Sequence, residues 1–323
     1  MAAVPRVAVL IPCYNEAIAI GQVISDFRAH LPTATIYVYD NNSSDGTAAV
    51  ARQAGAVVRN EILQGKGNVV RRMFADIEAD IFVLVDGDDT YDAASAPAMI
   101  RALVDNQLDM VIGTRAEIAQ AAYRSGHRLG NIVLTGLVRL VFGNRVSDML
   151  SGYRVFSRRF VKSFPALADG FETETEFTVH ALDLAMPTGE VPTPYKERPA
   201  GSVSKLRTYA DGIRILRTIF LLVKETRPLR FFSIAGALLL VLAMILAIPV
   251  IRVYLATGLV PRLPTAVLAT GLVLLACLAI VCGLILDSVA RGRKEMKRLA
   301  YLAIPAMAPT YGLPASAADE IRE

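Results

Sequence analysis

The sequence predicts an α/β protein: a doubly wound, mostly parallel sheet, then an amphipathic interface helix and a C-terminal two-helix transmembrane hairpin. Three observations predict it. Short apolar strands alternate with helical patterns as far as Gly113, polar clusters recur at the ends of those strands, and two long uncharged runs lie between Phe231 and Leu286. Strand and helix alternating at this spacing indicate a parallel sheet covered on both faces.

The elements follow in order. Strands are expected at Arg6–Ile11, Thr35–Asp40, Ala56–Arg59, Ile81–Val85 and Asp109–Gly113, each apolar and bounded by turn residues. Helices are expected near Ala17–His30, Gly46–Ala54, Lys66–Ile77 and Ser95–Asp105. Arg128–Phe142 has a helical rhythm with few charges and suits either the core or a membrane surface. Between Leu206 and Pro228, Ile213, Leu216, Ile219, Phe220 and Val223 share one side while Arg214, Arg217 and Lys224 take the other, as in a helix lying in the interface plane. Phe231–Ile251 and Leu263–Leu286 each extend roughly 30 to 36 Å as a helix, enough for a hydrocarbon core of about 30 Å. The domain limits expected are 1–206 for the sheet domain, 207–229 for the interface helix, 230–288 for the hairpin and 289–323 for a cytoplasmic tail, loose after Ala303.

The excess of apolar residues, 54% of 323, is concentrated in those spans. Arg214, Arg217, Lys224, Arg227 and Arg230 precede the first span, and Arg291, Arg293, Lys294, Lys297 and Arg298 follow the second, whereas the connector holds only Arg252 and Arg262. Positive-inside bias therefore assigns both termini and the sheet domain to the cytoplasm, with the hairpin in the cytoplasmic (inner) membrane. The net charge of +4 comes largely from these flanks and reads as attraction to anionic headgroups, with no nucleic-acid partner. No cleavable signal is expected, since Met1–Arg6 leads directly into a strand. Cys13, Cys277 and Cys282 make no disulfide framework, which suits a reducing compartment. Small residues such as Gly236 and Gly271 offer a packing surface for a homodimer or tetramer.

In a doubly wound sheet ligands sit outside the carboxyl ends of the strands, and there the chain places PCYNE, DNNSSDGT, DGDD and GTR. Two carboxylates about 4 Å apart repel by roughly 4 kcal/mol at an effective dielectric near 20, so the DGDD tip calls for a cation. Asp86 and Asp88, on a turn opened by Gly87, make a hard-oxygen site for Mg²⁺ or Mn²⁺ shared with a diphosphate. Asp40 can accept hydrogen bonds from a nucleobase, uracil or guanine alike, and Lys66 in QGKGN adds a cation near the same edge. Asn15, Ser44 and Asp45, taken singly, read equally well as turn and cap residues. The strict alternation of FETETEF allows Glu172, Glu174 and Glu176 to recognise a sugar or to line the wet side of a strand or helix start. His30, His127 and His180 show no ligand spacing and are assigned no chemistry.

PCYNE at Pro12–Glu16, DNNSSDGT at Asp40–Thr47, GKG at Gly65–Gly67 and DGD at Asp86–Asp88 resemble, in order and spacing, the inverting family-2 glycosyltransferases of the GT-A fold. GTR at Gly113–Arg115, RLGN at Arg128–Asn131, DMLSGYRVFSR at Asp148–Arg158 and ERPAGSVSKL at Glu197–Leu206 narrow the resemblance to polyprenyl-phosphate glycosyltransferases, the group that includes dolichyl-phosphate mannose synthases. The resemblance implies that Pro12, Tyr14 and Glu16 line a nucleotide pocket, that Asp40 and Asn42 contact base or ribose, and that Asp86 and Asp88 ligate the metal. It implies that Arg115, Arg128, Asn131, Arg198, Ser204 and Lys205 meet the lipid phosphate; planar guanidinium forks suit that group well. Asp148 is a candidate for sugar recognition or base assistance. Thr90 stands where family members often carry a Gln, and the third metal contact is left unassigned. The expected reaction moves a sugar from a UDP- or GDP-sugar to a polyprenyl phosphate. Other acceptors, lipid or glycan, and a non-enzymatic nucleotide-sugar-binding scaffold are the alternatives. Processive polysaccharide synthases share the early motifs but resemble one another in a Trp-containing motif, and this chain has no Trp.

Overall fold

The computed structural model describes residues 5–116, 147–170, 172–199, 201 and 208–306. It divides into two units, one of residues 1–218 with 297–323 and one of residues 219–296.

The first unit is built on a seven-stranded sheet: β1 (Val7–Cys13), β2 (Thr35–Asp40), β3 (Val57–Asn60), β4 (Ile81–Leu84), β5 (Met110–Ala116), β6 (Arg154–Ser157) and β7 (Thr188–Pro194). Their order across the sheet is β3-β2-β1-β4-β6-β5-β7. All neighbours are parallel except β6, which runs against both β4 and β5. Successive residues feed opposite faces, and both faces are buried. Leu10, Phe82, Ile112 and Phe156 pack on one side with α3 (Lys66–Asp76), α5 (Arg158–Ser163) and α6 (Thr173–Leu184). Val9, Ile11, Val83 and Val155 pack on the other with α1 (Ile20–His30) and α4 (Ala96–Asp105). Such double coverage explains why these strands read as continuous apolar runs. The short α2 (Thr47–Gln53) completes the set.

The expected elements are present with shifted ends. The first strand runs on through Pro12 and Cys13, because the parallel register with β2 continues to Cys13 opposite Asp40. The segments β6, α5 and β7 had no counterpart in the sequence reading, which left FETETEF, where α6 begins, as a strand or a helix start. The glutamates of FETETEF are not on a wet face: Glu174 and Glu176 lie in the first turns of α6 and are buried. The expected helix at Arg128–Phe142 lies outside the described residues.

Reversal of β6 has a consequence for the site. Leu84 and Ile112 both pair with Arg154, so the start of β6 lies at the same edge as the carboxyl ends of β4 and β5. Residues 148–153 are thereby delivered to the edge that carries the other polar clusters. At the opposite edge Asp109, fully buried, accepts hydrogen bonds from Ser157 Oγ (2.7 Å) and Tyr301 Oη (2.8 Å) and pairs with Arg159. Residues 297–301 thus pack with the sheet unit, in the stretch expected as cytoplasmic tail.

His180 on α6 is buried against Phe160 and Phe164, with Nε2 3.2 Å from Ser163 Oγ. Burial, and then the charge of Lys297, push its pKa down to about 3. The neutral ring is the form the fold accepts, so this contribution to stability is complete above pH 6.5. Below that the unfolded chain takes up a proton that the folded one refuses, and the contribution falls progressively towards pH 3, by about 5 kcal/mol in all. Thermal unfolding between pH 7 and pH 5 is therefore expected to show a shallower pH dependence in His180→Leu than in the wild type.

The second unit contains α8 (Pro228–Thr257) and most of α9 (Leu263–Leu302), the two helices among the described residues long and apolar enough to cross a membrane, with mean hydropathies of 2.9 and 2.7 over an 18-residue stretch of each. Before them, α7 spans Thr208–Thr226, where the interface helix was expected; its Leu216 and Phe220 are exposed. Pro228 opens α8 at a position that needs no amide hydrogen, and Gly258 closes it at φ 72°. Arg252 is helical, so the connector reduces to 258–262. Beyond Pro228 at its start, the buried positions of α8 are Gly236, Ala243 and Val250, and those of α9 are Ala269, Ala276 and Gly283, each trio at heptad spacing. A Cβ on Gly236 would lie 3.1 Å from the Ala276 carbonyl, and one on Gly283 3.0 Å from Phe232 Cβ. Small residues thus let the two backbones approach closely. Gly236, expected to serve contacts between copies, packs within the hairpin, whereas Gly271 faces open space. The pair has the length and composition of a transmembrane hairpin.

Candidate functional site

The site edge is assembled at the topological switch point, where β1 connects outward to β2 on one side and pairs with β4 on the other. The turn after β4 carries Asp86, Gly87 and Asp88. Gly87 is required there: a Cβ would lie 2.7 Å from Cys13 Sγ. Burial, then the carboxylates of Glu16, Asp40, Asp86 and Asp88, push the Cys13 thiol well up, so it stays neutral and serves as packing for the turn.

Each carboxylate of the turn is held by a cation from elsewhere in the chain. Asp86 Oδ1 lies 2.5 Å from Lys66 Nζ, and the same ammonium lies 2.5 Å from Glu174 Oε1. Asp88 Oδ2 lies 2.5 Å from Arg198 Nη2, while its Oδ1 accepts from Thr90 Oγ1 (2.6 Å) and Thr90 N (3.2 Å). Thr90 therefore supports a candidate metal ligand. Burial, and then the neighbouring charge of Asp86, raise the Asp88 pKa.

On the β1 and β2 side, Asp40 is buried with Oδ2 accepting from Ser43 N (3.1 Å), and its buried Oδ1 has no partner among the described residues. An orphaned acceptor in that position is costly unless a ligand supplies the donor. Glu16 is buried, Pro12 half-buried and Tyr14 exposed beside it. Asn42 points elsewhere than expected: its amide donates to the Ile62 carbonyl (2.9 Å) and to Gln64 Oε1 (3.2 Å). The inward residue is its neighbour. Asn41 donates to the carbonyls of Glu61 and Leu63 and accepts from Gly65 N (2.7 Å), so it shapes the loop that presents Lys66. Asn15, Ser44 and Asp45 tie the two loops together: Ser44 N donates to Asn15 Oδ1 (2.8 Å), and Asp45 accepts from Ala17 N (2.9 Å) and Thr47 N (3.0 Å).

Toward β5 and β7, Arg115 forms a two-pronged pair with Asp148, Nε to Oδ2 and Nη2 to Oδ1, both 2.8 Å. Burial opposes the charge of Asp148, but Arg115 outweighs it and holds the carboxyl below its ordinary range. A candidate phosphate donor and a candidate base thus meet in one ion pair. Arg198 follows β7 on a strap fixed by the Tyr91–Tyr195 bridge and by Lys196 N donating to the Thr90 carbonyl (2.8 Å). Arg128, Asn131, Ser204 and Lys205 lie outside the described residues. Glu174 reaches Lys66, and Glu176 accepts from the amides of Leu167 and Ala168 (both 2.9 Å); neither faces solvent as a sugar contact on a wet surface would.

Asn41, Gly152 and the contact of Glu174 with Lys66 are the features that sequence reasoning missed. Gly152 is packed so tightly on Asp86 that a Cβ would lie 2.5 Å from Oδ2. The donor set suits a hard divalent cation: two carboxylates on one turn, with an ammonium and a guanidinium standing in as counter-charges. Among the described residues no group of three His, Cys, Asp or Glu side chains forms a closed metal cage. An ion here would be shared with a ligand, as is usual for magnesium-like ions bound with phosphates.

Comparison with known proteins follows the same lines. The profile of glycosyl transferase family 2 matches residues 8–164. Glycosyltransferase AglJ of Haloferax volcanii is 37% identical over 232 residues, 71% of this chain and 76% of that protein. A dolichyl-phosphate hexose transferase of the same organism is 29% identical over 220 residues, 68% of this chain and 95% of that protein. Glucosyl-3-phosphoglycerate synthase from Mycobacterium tuberculosis, solved with Mn²⁺, uridine diphosphate and phosphoglyceric acid, shares the fold at a TM-score of 0.54 and 21% identity. That match covers 68% of this chain and 78% of the other.

Proposed function

The chain belongs to glycosyl transferase family 2, and from that premise we propose that it moves a sugar from a nucleoside-diphosphate donor to a polyprenyl phosphate at the cytoplasmic face of a membrane. It is a nucleotide-sugar glycosyltransferase; the lipid acceptor, the metal and the membrane face are our reading. The observation that carries the reading is the Asp86–Asp88 turn beside the orphaned Asp40 oxygen, in a chain that continues into two helices of membrane-spanning length. A relative named for dolichyl phosphate, and basic residues flanking the two helices, support the acceptor and the orientation.

In this reading Asp40 Oδ1 accepts from the nucleobase, with Pro12, Tyr14 and Glu16 around it. Asp86 and Asp88 would hold a divalent ion, Mg²⁺ or Mn²⁺, which when bound stabilises the departing diphosphate as a Lewis acid. The fold neighbour solved with Mn²⁺ and uridine diphosphate supports that assignment. The acceptor is a phosphate monoester, whose second pKa near 6 leaves it largely dianionic at neutral pH. Its oxygen attacks the anomeric carbon on the side opposite the diphosphate, the new C–O bond forms as the old one breaks, and the bonding pair leaves with the diphosphate. No proton need be removed, so the protein's work is positioning. Arg115 and Arg198 supply fork-shaped donors for the acceptor phosphate, joined by Arg128, Asn131, Ser204 and Lys205, and Asp148 orients Arg115 as a fixed anion.

Purified protein in detergent, given Mn²⁺, a panel of UDP- and GDP-sugars and a short-chain polyprenyl phosphate, is expected to release nucleoside diphosphate and an organic-soluble sugar in equal amounts. Transfer to a glycan acceptor with no product on lipid phosphate would overturn the proposed acceptor.

A further inference from the structure

We propose that Glu174 is a positioning residue for the metal carboxylate: by sharing Lys66, it keeps that ammonium from neutralising Asp86. The inference rests on the reading of Asp86 as a metal ligand and adds a residue whose contact is made through another.

Lys66 is the first residue of α3, the end where a helix dipole disfavours a cation, and its side chain is only 8% exposed. Local preference does not put a lysine there. What holds it are Asp86 Oδ1 and Glu174 Oε1, each 2.5 Å from Nζ. Two carboxylates thus share this ammonium; without Glu174 more of its charge would fall on Asp86, and a divalent cation would meet a ligand already matched by a cation.

The surrounding backbone is shaped to bring Glu174 to this place. Lys66 sits between Gly65, at φ 131°, and Gly67. A Cβ on Gly65 would lie 2.2 Å from the Asp169 carbonyl, and one on Gly67 2.1 Å from the Ala168 carbonyl. Only glycines on both sides of the lysine let α3 start this close to the loop that leads into α6. That loop is fixed in turn by Glu176, which takes the amides of Leu167 and Ala168. Glu174 then enters on the first turn of α6 with Oε1 on Lys66.

Glu174 is expensive for the fold. It is 4% exposed, and its Oε2 is buried with no partner among the described residues. A buried side chain with an orphaned oxygen destabilises a core, so packing alone does not account for a glutamate at this position.

The test is Mn²⁺ binding to the full-length protein in detergent, without donor, by calorimetry. Glu174→Gln keeps the shape and a hydrogen-bond acceptor for Lys66 but removes the charge, so the ammonium is drawn more strongly to Asp86. The Mn²⁺ dissociation constant is expected to rise about tenfold or more. The double variant Glu174→Gln/Lys66→Met removes the competitor as well and is expected to return the constant to within about threefold of wild type. Equal binding by wild type and Glu174→Gln overturns the inference, as does a double variant that binds as weakly as Glu174→Gln. Should Glu174→Gln not fold, Lys66→Met alone decides: binding at least as tight as wild type supports the inference, and weaker binding overturns it. A wild type that binds no Mn²⁺ sinks the metal reading itself, which separates the two failures.

Discussion

Replacing Asp88 by Asn is expected to lower sugar transfer about a thousandfold at saturating metal and donor, while the melting temperature moves by only a few degrees. The two halves of this expectation have different physical sources. Turnover falls because an amide oxygen carries no charge with which to hold a divalent ion against the leaving diphosphate, and removing one preorganised electrostatic contact to developing charge costs about 10² to 10³ in rate. Stability barely changes because two effects oppose. Burial and the charge of Asp86 raise the pKa of Asp88, so the ionised carboxylate is a cost to the folded state at neutral pH, and Asn removes that cost. Against this, Arg198 loses the anion 2.5 Å away, while Thr90 can still donate to the amide oxygen. Circular dichroism and thermal unfolding beside a turnover assay check both halves. Near-normal turnover would remove Asp88 from the metal site.

How much of this was legible in the sequence follows from how local each signal is. The strands β1, β2 and β4 are apolar runs ended by polar turns, and their order places the PCYNE, DNNSSDGT and DGDD clusters on one edge without further information. The later strands hide. Arg154, fully buried at the start of β6, breaks the apolar pattern of the reversed strand, and its partners are the carbonyls of Met149 and Ser151 and the hydroxyl of Thr178. Strand β7 lies at the sheet edge and carries Pro192 and Pro194, residues that argue against a strand unless it is an edge. In TETEF the period of two suggests one wet face, yet α6 is buried around most of its circumference, so neither period applies. Side-chain direction was the other blind spot. Asn41 and Asn42 are adjacent and chemically identical, and only the left-handed backbone at Asn42, φ 65°, sends one inward and the other across the loop. The meeting of Lys66 with Glu174 spans 108 residues and leaves no trace in local spacing.

A methyl group added at Gly152 is expected to cost about a hundredfold in turnover with little change in stability, although it alters no charge and no hydrogen-bonding group. Its Cβ would lie 2.5 Å from Asp86 Oδ2 and 3.1 Å from Asp86 Cγ, where ordinary contact begins near 3.4 Å. Something must move by about 1 Å, and the backbone is the stiffer party. Gly152 N donates to Tyr91 Oη (2.9 Å), Ser151 Oγ donates to the Gly113 carbonyl (2.6 Å), and Tyr153 N donates to Ser151 Oγ (3.3 Å). The carboxylate of Asp86, 31% exposed, is the part free to yield. Displacing a reacting group's support by about 1 Å costs on the order of 10² in rate. The fold has less at stake, because φ at Gly152 is one that alanine adopts and the moving atoms are the end of a side chain. Turnover and Mn²⁺ affinity measured together identify the cause: both should fall in Gly152→Ala, since Asp86 is displaced from its place beside Asp88. A loss of melting temperature at unchanged Mn²⁺ affinity would instead locate the strain in the backbone of residues 151–153 and release Asp86 from the role assigned to it.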